Sequence, residues 1–209
     1  MSALPFTATF ILASAALALA PGPDILYVLA KGISQGRRSA LIAAAGFCSG
    51  LSIHTGASAC GLSALLVASA TAFTIAKLLG AGYLVYLGVR AIFSRGLISL
   101  PENHVALSGR KIFAQAFLMN VLNPKVALFF LAFLPQFVRT EQGSIPQQLI
   151  LLGIGFGSVS FLIFVLVGLF SAAIGRRVRS RPTITRLLDC IAGTAFILLG
   201  LRLASFSQR

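Results

Sequence analysis

Six apolar runs, near residues 5 to 30, 40 to 68, 72 to 94, 112 to 138, 147 to 174 and 185 to 205, take up almost the whole of this 209-residue chain. A helix that crosses hydrocarbon needs about 20 apolar residues. Only a helix or a closed barrel can satisfy every backbone N–H and C=O there without water. Each run meets that length, and almost nothing is left over for a soluble domain. The chain therefore reads as an all-α integral membrane protein, one transmembrane domain over residues 1–209 with six transmembrane helices. Composition agrees: 57% of residues are hydrophobic and only 10% charged, whereas soluble domains carry roughly 25% charged residues.

The formal net charge of +13 raises the question of nucleic acid, because basic patches neutralise phosphates. Here the basic residues fall between apolar runs and are not interleaved with exposed aromatics, which argues against a nucleic-acid partner. Cytoplasmic loops of membrane proteins carry excess Lys and Arg. The first link holds Lys31, Arg37 and Arg38; the third holds Arg90, Arg95, Arg110 and Lys111; the fifth holds Arg176, Arg177, Arg179, Arg181 and Arg186. The second has only Lys77 at its edge, and the fourth offsets Arg139 with Glu141. These alternations place the basic links in the cytoplasm and both termini outside, although Arg202 and Arg209 in the tail pull slightly the other way.

Cys48, Cys60 and Cys190 lie inside apolar stretches without C-x-x-C or metal-ligand spacing, so they read as packing residues. Ala18-Leu19-Ala20 resembles a signal-peptidase site. No Lys or Arg precedes Lys31, however, and a signal peptide needs a basic start, so the first helix is expected to be retained.

Short words recur in order along the two halves. Pro21 and Pro23 interrupt the first run and Pro124 the fourth. Gly46-Phe47-Cys48-Ser49 answers Gly155-Phe156-Gly157-Ser158, and Leu87-Gly88-Val89-Arg90 answers Leu199-Gly200-Leu201-Arg202. Repeat one then covers about 5–94, a cytoplasmic link about 95–111, and repeat two about 112–205. Three spans per repeat force the halves into opposite orientations, an arrangement common in secondary transporters. The first helix of each repeat is broken at a proline motif.

A helix break at membrane depth survives only where protein or a watery cavity satisfies the freed backbone groups. Pro21-Gly22-Pro23 is one such break. Beside it stands Asp24, one of only four acidic residues in the chain. The second break, Asn123-Pro124-Lys125, carries a cation at the equivalent point. An ionisable side chain at the centre of a span costs about 2.5–3.5 kcal/mol even on the lenient insertion scale and normally has a partner or faces a cavity. Asp24 and Lys125 should therefore approach one another across the axis relating the halves. They form either a static ion pair or the two poles of a site for a zwitterion, whose ammonium and carboxylate need opposite charges; free N–H groups at the breaks favour the anionic end. Asn123 belongs to the same candidate site.

His54 lies among Ser49, Ser52, Thr55 and Ser58 near the middle of the second run. Two roles stay open for it: a hydrogen bond to a neighbouring helix, or a proton relay, since imidazole changes charge near neutral pH. Gly46 with Gly50 and Gly153 with Gly157 have the spacing of close helix packing. Signatures of enzymes (a P-loop, H-E-x-x-H, G-x-S-x-G) are missing from the sequence. No cofactor or metal is expected, and transport would draw on an ion gradient or the membrane potential, with the proton as the expected coupling ion.

Along nearly its whole length the chain resembles the lysine exporter (LysE/RhtB) family of bacterial amino-acid efflux proteins. The matching words are Pro21-Gly22-Pro23-Asp24; Gly50-Leu51-Ser52-Ile53-His54; Lys77 with Gly80-Ala81-Gly82-Tyr83-Leu84-Val85-Tyr86-Leu87-Gly88; Asn123-Pro124-Lys125; and Phe129-Phe130 with Pro135-Gln136-Phe137. The resemblance implies a secondary exporter of amino acids in the bacterial inner membrane. Many members carry an acidic residue within the fifth span. Here that stretch, Gly155 to Ala173, has none, and Asp189 is the other acid at membrane depth. A dibasic substrate would want a second buried negative site, so threonine, homoserine or a branched aliphatic amino acid fits better. Rival readings are a metal-ion exporter, an electron carrier and a passive channel. The lack of an acidic cluster argues against the first and the lack of C-x-x-C against the second. Assembly into a homo-oligomer is compatible with the sequence.

Overall fold

The computed structural model describes residues 8–20, 22–62, 70–93, 106–139, 141, 143–174 and 182–205. Its regular elements are all helical: α1 (Ala8–Leu19), α2 (Pro23–Gln35), α3 (Arg37–Ala57), α4 (Ala70–Phe93), α5 (Gly109–Val121), α6 (Pro124–Leu128), α7 (Ile145–Leu169) and α8 (Pro182–Ser205). A π-helical turn, Ser58–Leu62, extends α3. Another, Phe129–Phe133, extends α6 and passes into a 3-10 turn over Leu134–Phe137.

The first and fourth apolar runs are bent where the prolines stand. α1 and α2 meet at 57°, and α5 meets the Pro124–Phe137 segment at 45°. Proline lacks an N–H and cannot sit inside a helix without losing a bond, but its fixed φ suits the first helical position. Pro23 and Pro124 both occupy the start of a helix. Gly22 before the first is extended, at φ −156° and ψ 174°. Pro21 lies outside the described residues. Arg37–Gly61 and Ile145–Leu169 are each long and apolar enough to cross a membrane, and each bent pair adds one further candidate span. Large apolar side chains such as Leu12, Leu79, Ile154, Leu162 and Leu198 point outward and are exposed. A surface of this kind suits lipid tails, not water, and the protein is a multi-pass membrane protein.

Lys31 departs from the expected plan. It does not lie in a link: α2 runs on to Gln35, and Lys31 is buried inside it. The connection shrinks to Gly36, whose φ of +83° is a backbone state that glycine adopts without penalty. Arg37 and Arg38 follow, exposed, in the first turn of α3. Arg90, Arg110, Lys111 and Arg186 are likewise exposed. Arg95, Arg176, Arg177, Arg179 and Arg181 lie outside the described residues, and the side chains of Lys77, Asp189 and Arg202 are not described.

Glycines set the helix contacts. A Cβ on Gly46 would lie 2.5 Å from the Phe113 carbonyl oxygen, and one on Gly50 would lie 2.8 Å from the Asn120 side chain, so α3 and α5 touch backbone to backbone. Gly153 of α7 presses on Thr55 of α3, while Gly157 is in ordinary contact with Leu51 at 3.7 Å. In the α4–α8 pair, Gly88 and Gly193 face each other's carbonyls: their Cβ atoms would lie 2.5 and 2.6 Å away. α3 is thus central, flanked by α2, α5 and α7, with α1 against α7 and α4 against the π turn after α6. Two apolar clusters fill the interior. One is built around Phe10, Leu17, Phe129, Phe133 and Phe156, the other around Val28, Ala40, Phe47, Ile112 and Phe164.

Candidate functional site

A buried ion pair joins the two breaks. Lys125 Nζ lies 3.0 Å from Asp24 Oδ2 and 3.2 Å from Oδ1. The same ammonium donates to the Leu17 carbonyl at 3.2 Å and the Ala20 carbonyl at 3.3 Å. Asp24 is 3% exposed and Lys125 5%. The local logic follows from helix ends. Breaking a helix strands the last carbonyls of α1, and the negative end of that helix attracts a cation. Asp24 stands in the first turn of α2, at the positive end of its dipole. One ammonium, with its three donors, thus answers both ends of the first break. Gly22 makes the approach feasible, since a Cβ there would sit 2.6 Å from Asp24 Oδ1 and 2.8 Å from Lys125 Nζ.

At the second break Asn123 caps α6, its Oδ1 accepting from the Lys125 backbone N–H at 3.0 Å. His54 Nε2 lies 3.0 Å from the Asn120 carbonyl, in the last turn of α5. A carbonyl only accepts, so Nε2 is the protonated nitrogen. Its ring also lies 5.7 Å from that of Phe130. Carbonyls at each break are met by a side chain from elsewhere, Lys125 at the first and His54 at the second, where the Asn120 carbonyl also accepts from the Asn123 N–H at 2.9 Å.

Between the two apolar clusters lies a small pocket lined by Asp24, Lys125, Asn120, Ser160, Leu51 and Phe156, among others. Among the described residues Asn120 Oδ1 and Ser160 Oγ are buried there without a hydrogen-bond partner, and Asn123 Nδ2 is unpartnered nearby. A buried polar group left unpaired costs about 1–3 kcal/mol, and the pocket lining offers two of them. Its free volume is about 10 Å³, close to one water. Nothing larger than a water fits it in this state. Of the residues singled out from sequence, Asp24, Lys125, Asn123, Gly22, Pro23 and Pro124 converge here, while His54 reaches the site through Asn120. Sequence reasoning missed Asn120 and Ser160. Each is a polar residue inside an apolar run, three before Asn123 and two after Ser158, but only packing shows which way it faces.

The model of the LysE type translocator matches residues 15–207. This chain belongs to that family. The chain is 32% identical over 199 residues to the homoserine/homoserine lactone efflux protein of Salmonella typhimurium, with 94% of each chain covered. It is 33% identical over 198 residues to a membrane protein of Vibrio cholerae, covering 94% of this chain and 95% of that one. The leucine efflux protein of Enterobacter sp. is more distant, at 25% over 201 residues and 94% of each chain. No solved structure matches the chain.

Proposed function

We propose that the protein is a secondary active exporter that carries neutral amino acids from the cytoplasm across the bacterial inner membrane, with Asp24 and Lys125 as the two poles of its substrate site. The observation that carries this reading is the buried Asp24–Lys125 pair, set between two helix breaks beside unpaired Asn120 and Ser160. Relatives named for homoserine and leucine efflux support the substrate class. Asp24 is the sole carboxylate lining the pocket among the described residues, which disfavours a dibasic substrate.

Six spans follow if α4 and α8, each 24 residues and so about 36 Å long, also cross the bilayer. The neighbour relations suit two inverted repeats: α3 on α5 answers α7 on α1, and α3–α7 and α4–α8 each pair equivalent helices. With the basic ends of these helices inside, both termini lie in the periplasm. From Lys125 the chain then runs outward into Phe129, Phe130 and Phe133; Phe129 and Phe130 meet Phe156 at ring distances of 4.8 and 5.5 Å, Phe133 stacks on Phe129 at 5.0 Å, and the cluster closes the outer side.

In the empty carrier each charge satisfies the other, which spares the cost of a lone buried ion and lets the unloaded protein reset. A substrate exchanges this pair for two new ones: its ammonium takes Asp24 and its carboxylate takes Lys125. Asn120 and Ser160 supply hydrogen bonds. The breaks are the hinges about which the half-helices move. Proton coupling supplies the driving force, and His54 serves as the helix-to-helix hydrogen bond its contact with Asn120 favours. The test is uptake of labelled amino acids into inside-out vesicles holding the purified protein. Accumulation above the outside concentration that collapses with a protonophore is expected; mere equilibration would make the protein a passive channel.

A further inference from the structure

Down α2 from the break runs a polar stripe of Asp24, Tyr27, Lys31 and Gln35, spaced three and four residues apart and hence on one helix face. Asp24 is committed to Lys125. Lys31 is not committed to anything of opposite charge. It is 3% exposed, and it lies seven residues and about 10 Å along the helix from Asp24. Among the described residues no carboxylate pairs with it: Asp24 is taken, and Glu141 is exposed. Its ammonium rests 5.3 Å from the centre of the Tyr27 ring, which Gln115 holds by accepting a 2.8 Å hydrogen bond from the hydroxyl. An aromatic face attracts a cation but does not replace a counter-ion. One turn further, Gln35 Oε1 is buried without a partner while its Nε2 donates to the Leu107 carbonyl.

Among the described residues the buried charged side chains are Asp24, Lys31 and Lys125. The central pair cancels, and among these residues Lys31 leaves one positive charge in excess. A buried, uncompensated cation is costly, so its place on the inward stripe calls for an anion that comes and goes.

Building on the amino-acid export reading, we propose that Lys31 receives the substrate's α-carboxylate on the cytoplasmic side before the substrate reaches Asp24 and Lys125. The carboxylate then passes along the stripe from Lys31 to Lys125, which sits beside Asp24 at the stripe's head. Amides, esters and lactones lack the group that Lys31 recruits, so this chain is expected to favour free amino acids and to part here from its Salmonella relative, which is named for homoserine lactone efflux as well as homoserine efflux.

The experiment uses vesicles holding wild type, Lys31→Met, Lys31→Gln or Lys31→Arg, with homoserine and leucine each compared with its amide. Loss of one charge-assisted contact is expected to raise KM for the free amino acids about tenfold in Lys31→Met and Lys31→Gln, with kcat largely kept. Lys31→Arg should restore KM, and KM for the amides should not respond to any variant. Wild type should favour the free acids over the amides by at least about tenfold, a readout that needs no variant to fold. An unchanged KM in both neutral variants, or equal transport of acid and amide by wild type, would overturn the proposal. So would a KM shift that vanishes when phosphatidylglycerol is omitted, because Lys31 would then be holding a lipid phosphate. Wild-type vesicles that move none of the compounds would instead overturn the export reading, and Lys31's role with it.

Discussion

Lys125 and Asp24 stand 101 residues apart in sequence, yet their charged atoms meet at 3.0 Å in the protein interior. Gly22 is the reason they can, because any side chain there would occupy the space between them. Gly22→Ala should push the carboxylate and ammonium apart, lowering stability by about 1–3 kcal/mol and abolishing export. A thermal melt of the purified protein in detergent, alongside vesicle transport, checks both. Full export by Gly22→Ala would contradict the placement of the site.

The helix breaks were legible in the sequence, because proline dictates its own backbone geometry: Pro23 and Pro124 start helices where Pro21-Gly22-Pro23 and Asn123-Pro124 said they would. The partnership of Asp24 with Lys125 was legible too, as charges in hydrocarbon must find each other. Lys31 was not. A lysine near the end of an apolar run looks like a loop residue, and only the folded chain reveals that α2 continues past it. Asn120 and Ser160 escaped notice for a related reason: a lone polar residue in a membrane helix has no visible direction until its neighbours are placed. The π turns at Ser58–Leu62 and Phe129–Phe133 leave no mark in the pattern of apolar residues.

Glycine substitutions should separate the close contacts from the loose ones. Gly88→Val and Gly193→Val put bulk against an opposing carbonyl and should each cost about 1–3 kcal/mol, with a lower melting temperature. Gly157→Ala, whose new Cβ would have 3.7 Å to Leu51, should melt within a degree or two of wild type. Equal tolerance at all three positions would contradict the α4–α8 contact.

His54 donates to the Asn120 carbonyl, which assigns it to packing in this account. His54→Ala should remove one of the hydrogen bonds on that carbonyl, which keeps the Asn123 N–H at 2.9 Å, and cost about 0.5–1.5 kcal/mol, seen as reduced yield and melting temperature, while the pH profile of export keeps its shape. A flattened profile in well-inserted His54→Ala would make it a proton relay instead.

Orientation rests on the exposed arginines. A thiol introduced as Arg37→Cys should react with an impermeant maleimide only after the inner face is opened, and Ser144→Cys should react in intact cells. Labelling of Arg37→Cys from the periplasm would overturn the topology and the inverted repeat together.

The two poles of the site are tested most directly by comparing Asp24→Asn, Lys125→Met and the double variant in one transport assay. Either single change leaves an opposite charge buried alone, which costs about 3–5 kcal/mol, and should abolish export. Removing both charges relieves that penalty, so the double variant should recover the insertion and melting temperature of wild type while export stays absent. Recovery of export by the double variant would contradict the account, since a pair that can be deleted without loss of transport is scaffold and not a substrate site.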